Sequence, residues 1–226
     1  HRRKYMCHRL LCLIYSWVYV PNGLKVEMGQ KFPMLGRMRS VAVYCGSAEG
    51  NLPAYSATAQ QLGDELARRG LNLVYGGGNI GLMREVANSC LYAGGTVTGV
   101  MPQALVDLEI SHPGLTRLEV VGSMAERKTR MEQLADAFIC LPGGAGTLEE
   151  VTEVLTQQQL GSIRGPVGLV NVEGFWQPFY DMYAAMAEAG FILPRYVKSL
   201  VIEDSPAAVL DGFAGWHYPG TKWDND

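Results

Sequence analysis

Beyond residue 40 the chain is built from short, largely apolar runs separated by longer amphipathic ones. VAVYC (41–45), LNLVY (71–75), TVTGVM (96–101), LEVV (118–121), AFICL (137–141), VGLVNV (167–172) and SLVIE (199–203) read as strands, because they are short and rich in β-branched side chains. Between them apolar residues recur at helical spacing. That spacing predicts helices over 54–69, with Ala59, Leu62 and Leu66 on one face, and over 80–92, 123–134, 147–160, 176–189 and 206–213. Gly70 and Gly94-Gly95 stand where helix stops belong. Strands apolar on both faces, alternating with helices, predict a parallel sheet covered on both sides. The fold expected is α/β, a Rossmann-like doubly wound sheet in a single domain. Ligands bind such sheets at the carboxyl ends of the strands. Three glycine-rich turns fall at those ends: Gly46-Ser47, Gly76 to Gly81 and Gly143 to Gly146.

The opening segment breaks this pattern. Residues 1–39 carry eight Lys and Arg against one acid, Glu27, while the remainder carries eleven against twenty-one. The net charge of −3 thus averages a basic lead and an acidic body. Residues 10–20 (LLCLIYSWVYV) are apolar but about half as long as a membrane-spanning helix. A cationic start before a short apolar run resembles a signal peptide, yet no small-x-small cleavage site follows it. Residues 1–37 are therefore expected to be an extension outside the fold, with a targeting or anchoring segment as the alternative. The domain is expected over 38–216, and 217–226 as a C-terminal tail. An acidic body argues against a general nucleic-acid binder, and no membrane partner is expected. Cys7 and Cys12 lie in the lead, and Cys45, Cys90 and Cys140 sit singly in apolar runs with no C-x-x-C. They predict buried thiols in a reducing, cytoplasmic setting and no metal site.

Gly76-x-Gly78-x-x-Gly81 matches the dinucleotide fingerprint and follows a strand. The acid that would hold a ribose is missing, since the next strand ends in Gly99-Val100-Met101-Pro102. The glycines predict instead a close backbone approach to some other group. Pro142-Gly143-Gly144-Ala145-Gly146-Thr147 is the stronger signal. Its glycines leave N–H groups free to wrap an anion, the following helix N-terminus adds about half a positive charge, and Thr147 adds a hydroxyl. The natural guest is one phosphate group. No Gly-Lys-Ser/Thr follows, which argues against a nucleoside triphosphatase. Thr147-Leu148-Glu149-Glu150 also reads as a capping box, with Thr147 as cap and Glu150 reaching back to it. Ser123 to Glu126 is a second box. Arg127 and Lys128 then fall in the first turns of a helix, the unfavourable end for cations by about 0.3–1 kcal/mol each. Two such cations beside the phosphate turn point to an anionic partner.

Together these residues resemble the LOG ("Lonely guy") family of cytokinin riboside 5′-monophosphate phosphoribohydrolases, over roughly residues 40–214. The family signature PGGxGTxxE reads Pro142 to Glu150. The family's Arg-Lys pair is Arg127-Lys128, with Met124 and Met131 in pattern; its Tyr-Gly-Gly-Gly run is Tyr75 to Met83, and its Cys-Gly-Ser is Cys45-Gly46-Ser47. Ala125 stands where His is frequent and Ala145 where an aromatic is frequent, which bears on the base pocket. The resemblance implies hydrolysis of the N-glycosidic bond of adenosine 5′-monophosphates, N6-modified or plain, to base and ribose 5-phosphate. It implies no cofactor, and a homodimer with sites near the subunit interface. Arg127 and Glu150 would be catalytic. Glu109, Lys128, Gly143, Gly144, Ala145, Gly146, Thr147, Leu148, Glu149 and Thr156 would bind substrate, together with Ser47, Gly76, Gly77 and Gly78. The competing expectation is a nucleotide-binding sensor or carrier of the same fold that does no chemistry.

Overall fold

The computed structural model describes the backbone of residues 17–19 and 25–27, and residues 38–108 and 110–224. The chain divides into two units, 1–37 and 38–226. In the first, β1 (Trp17–Tyr19) and β2 (Lys25–Glu27) pair antiparallel with Val18 opposite Val26. Cys7 and Cys12 lie outside the described residues.

The second unit is a seven-stranded, all-parallel sheet between two layers of helices, as the apolar runs predict. Its strands are β3 (Ser40–Tyr44), β4 (Asn72–Tyr75), β5 (Val97–Pro102), β6 (Arg117–Val121), β7 (Ala137–Cys140), β8 (Val167–Val170) and β9 (Val201–Glu203). Their order is β6-β5-β4-β3-β7-β8-β9. The helices are α1 (Pro53–Arg68), α2 (Gly81–Tyr92), α3 (Gln103–Val106), α4 (Met124–Leu134), α5 (Ala145–Leu160), α6 (Gln177–Glu188), α7 (Pro194–Ser199) and α8 (Pro206–Gly212). Side chains alternate across each strand. Val41 and Val43 of β3 face a core with Leu62 and Leu66 of α1, Val86 of α2 and Leu210 of α8. Ala42 and Tyr44 face the opposite core, with Met131 of α4, Val151 and Leu155 of α5 and Tyr183 of α6.

Three local expectations need correction. Helix α5 begins at Ala145, not Thr147, because two glycines of low helix propensity hide its first turn. Helix α7 precedes β9 where the apolar run had suggested that a strand starts at Ser199. Six residues are too few for a helical period to stand out. Residues 167–172 leave the strand after Val170 for a short 3-10 turn, Val172–Gly174.

The strand order reverses between β3 and β7, so the loops after these two strands diverge and leave a crevice. Both loops are fixed by the backbone: Leu141 N–H donates to the Tyr44 carbonyl at 3.0 Å, and Gly46 N–H to the Pro142 carbonyl at 3.0 Å. The turn that opens α2 joins them, since Leu82 N–H donates to the Gly46 carbonyl at 3.1 Å. At Gly81 the backbone is left-handed (φ +53), and a Cβ would lie 2.5 Å from the Ala48 nitrogen. Gly94 is also left-handed (φ +79), but nothing lies within 4 Å of its Cβ position. Gly94→Ala should therefore destabilise by the backbone term alone, about 1 kcal/mol, and Gly81→Ala by clearly more, about 3 kcal/mol. Denaturant unfolding of the two variants, with equal losses as the contrary result, checks this.

Candidate active site

The loop after β7 enters α5 through Gly144, an extended N-cap with no side-chain cap. Leu148 N–H is bonded to the Gly144 carbonyl at 3.0 Å, so the N–H groups of Ala145, Gly146 and Thr147 have no acceptor inside the helix. Nothing lies within 4 Å of the Cβ positions of Gly144 and Gly146, so this bare backbone faces open space. Thr147 is turned inward and buried, and a Cβ on Gly143 would lie 2.6 Å from its Cβ. The result is a cluster of unclaimed donors at a helix N-terminus, suited to one anionic group.

The Thr147–Glu150 capping box is not formed. With the helix starting at Ala145, Thr147 lies within the first turn and Glu150 on the buried face of the second, beside Val151 and Val154. The other box forms in part. Ser123 Oγ accepts from Glu126 N–H at 3.1 Å, but the Glu126 carboxylate accepts from Gly122 N–H, at 2.7 Å, rather than from its cap.

Glu150 faces Arg127. Arg127 Nη1 lies 3.7 Å from Glu150 Oε1, and both side chains are nearly sealed, at 12% and 10% exposure. Arg127 Nε donates to the Val100 carbonyl at 3.2 Å, and Nη1 reaches the Met124 sulfur at 3.9 Å. Burial pushes the Glu150 carboxyl up to about 7; Arg127 opposes that rise and Glu149 adds to it. Cys45, at the foot of the loop after β3, is buried beside this pair, and burial followed by the Glu150 charge holds its thiol high. Cys90 and Cys140 are likewise buried and free.

Lys128, one residue on, turns to acids of its own chain. It pairs with Glu149, and with Glu153 at 2.7 Å, and both carboxylates raise its pKa. Glu149 is thus engaged by Lys128 while Leu148 and Ala145 lie at the surface. Thr156 is exposed, its hydroxyl bonded to the Thr152 carbonyl at 2.7 Å. It is six residues past Glu150, about 120° round the helix from it. Ser47 backs onto Gly81. Gly76 lies under Arg127. Gly77, at φ +78, and Gly78 pair with the segment that follows residue 109: His112 N–H donates to the Gly77 carbonyl at 2.9 Å, and Gly78 bridges Ser111. Glu109 itself lies outside the described residues. The structure therefore gathers Arg127, Glu150 and Gly76 at the crevice, with the N–H donors of Ala145, Gly146 and Thr147 on the same helix as Glu150. Thr156 stands apart on the outer face.

Three contributors escaped the sequence. The Val100 carbonyl carries no side-chain signal at all. Glu153 was detectable as the residue one helical turn from Glu149, suited to sharing a lysine. His112 is buried, with Nδ1 accepting from Gly114 N–H at 3.1 Å and Nε2 2.9 Å from Asn88 Oδ1. It clasps the segment that lies on the Gly77 turn.

Residues 83–213 match a family model described as "possible lysine decarboxylase". The cytokinin riboside 5′-monophosphate phosphoribohydrolase LOG of Oryza sativa subsp. japonica is 47% identical over 192 residues, which is 84% of this chain and 79% of that protein. The chain belongs to the LOG family. The LOG-family phosphoribohydrolase LOG7 of Arabidopsis thaliana is 44% identical over 165 residues, 73% of this chain and 76% of that protein. Among solved structures, a molybdenum cofactor binding protein from Rippkaea orientalis superposes with a TM-score of 0.60 over 77% of this chain and 94% of that one. At 24% identity it shares the fold alone with this LOG-family chain. The wording of the family model does not suit Lys128. A Schiff-base lysine must be neutral to attack, whereas Glu149 and Glu153 hold this one charged.

Glu150 gives the LOG-family site a signature in solution. Its folded pKa, near 7, exceeds the ordinary value of 4.5. The stability it contributes is complete below the unfolded pKa and is lost as pH rises through about 7. Glu150→Gln keeps the neutral shape. Between about pH 5 and about pH 8 the variant should gain about 1–3 kcal/mol relative to wild type. Denaturant unfolding at both pH values measures this, and parallel pH profiles would contradict it.

Proposed function

We infer that the chain is an N-glycosyl hydrolase that cleaves cytokinin nucleoside 5′-monophosphates, N6-modified adenosine 5′-monophosphates, to free base and ribose 5-phosphate. The observation that carries the reading is the sealed Arg127–Glu150 pair beside unclaimed helix N–H donors, in a chain 47% identical to a protein named for this activity.

In this reading the 5′-phosphate sits on the N–H groups of Gly144 to Thr147 and fixes the ribose. The bond between C1′ and the base nitrogen breaks through an oxocarbenium-like state. The Glu150 carboxylate stabilises that positive charge and takes a proton from the attacking water, whose oxygen ends on C1′. The electron pair of the broken bond leaves with the base, which takes up a proton. Arg127 faces the departing base and offsets its negative charge. A carboxyl with a pKa near the working pH exchanges a proton at little cost in either direction. Glu149 and Lys128 form the outer wall and bind ribose hydroxyls, with Glu109 as a further substrate contact; Thr156, on the outer face of α5, has no place in this site of a single protomer.

The protein is proposed to act as a homodimer in the cytoplasm. The buried, unpaired thiols of Cys45, Cys90 and Cys140 suit a reducing compartment. Among the described residues no helix is long and apolar enough to cross a membrane.

Incubation with AMP and with isopentenyladenosine monophosphate, followed by chromatography, tests the reading. Base and ribose 5-phosphate should appear from the N6-modified nucleotide. Intact nucleotide with measurable binding would identify a carrier instead. Arg127→Ala should lower kcat/KM by about 10²–10³-fold, and unchanged kinetics would remove it from the site.

A further inference from the structure

We propose that Gly76 is a positioning residue, a bare seat over which the Arg127 guanidinium is held within reach of Glu150. An arginine on the first turns of a helix has several rotamers open to it, and something must select one. Here the selection comes from two strand ends. The Val100 carbonyl, in β5, fixes Nε at 3.2 Å. Gly76, just past β4, lies beneath the rest of the group: a Cβ there would overlap Nη2 and stand 2.8 Å from Cζ and 3.2 Å from Nε. The planar head therefore passes directly over the Gly76 Cα.

The backbone does not explain this glycine. Gly77 and Gly81 are left-handed, at φ +78 and +53, so turn geometry accounts for both. Gly76 is absent from that conformational class, and any L-residue could adopt its backbone. What excludes a side chain is Arg127. A neighbouring glycine completes the seat. A Cβ on Gly99 would lie 2.8 Å from the Gly77 Cα, so Gly99 lets the turn settle on β5 beside Val100. Gly76 thus acts through Arg127, and the first glycine of the apparent dinucleotide fingerprint is covered by a guanidinium of the same chain.

A double-mutant cycle tests this, and only its kinetic arm rests on the phosphoribohydrolase reading. Gly76→Ala should lower kcat/KM by about 10²-fold, chiefly through kcat, as a displaced reacting group does. In the Arg127→Ala background the new methyl has nothing to strike, and the same substitution should change kcat/KM by less than about twofold. A full second loss there, or a loss expressed as KM, would mean that Gly76 serves the substrate directly and would overturn the proposal. The melting temperature supplies the second arm. Gly76→Ala should lower Tm in the wild-type background and clearly less beside Arg127→Ala, and equal drops would overturn the seat whatever the activity. Should wild type release no base, the hydrolase reading fails while the Tm cycle still decides this one. Should Gly76→Ala alone not fold, recovery of folding in the double variant supports the seat, and failure of both overturns it.

Discussion

A guanidinium and a carboxylate, both close to sealed from water, face each other 3.7 Å apart at the mouth of the crevice between β3 and β7. Removing charges from water is expensive, and their attraction offsets that expense only in part. The pair therefore holds its place because the surroundings impose it. Glu150 is fixed on the buried face of α5, among side chains that complete one of the two cores. Arg127 is fixed by a carbonyl and by a residue with no side chain. The high Glu150 pKa is the electrostatic trace of that arrangement, since burial outweighs the stabilising cation.

Much of this was legible in the sequence. The five inner strands of the parallel sheet appear as apolar runs, because a strand covered on both faces has no polar side to show, whereas the edge strands β6 and β9 are partly exposed and carry Arg117, Glu119 and Glu203. The glycine turn before α5 and the Arg127-Lys128 pair are legible for a related reason. Each breaks a local rule, glycines at a helix start in one case and cations at the wrong end of a helix in the other, and such breaks concentrate where function overrides stability. The capping box was a false signal of the same kind. Thr-x-x-Glu has the right spacing, but the helix had already begun, and Glu150 points inward.

What sequence could not supply is tertiary. Nothing in the residue type of Lys128 says that Glu149 and Glu153 will bind it while its neighbour Arg127 turns to the crevice. The Val100 carbonyl is invisible in any residue pattern. The three glycines of 76–78 look alike in one dimension and have different reasons in three: a neighbouring side chain at Gly76, left-handed backbone at Gly77, and the Ser111 bridge and Met83 at Gly78.

The pairing of β3 with β7 carries a further consequence. Val41 sits opposite Ala137, and Ser40 N–H reaches the Asp136 carboxylate across 96 residues of sequence. Closing so long a loop must be accomplished before its contacts reward it, which makes such pairing intrinsically slow. During synthesis β3 emerges early and waits, its unpaired edge presented to the cell, until β7 follows. The crevice can therefore form only once β7 has been made and has paired with β3, so it depends on one of the longest loop closures in the sheet.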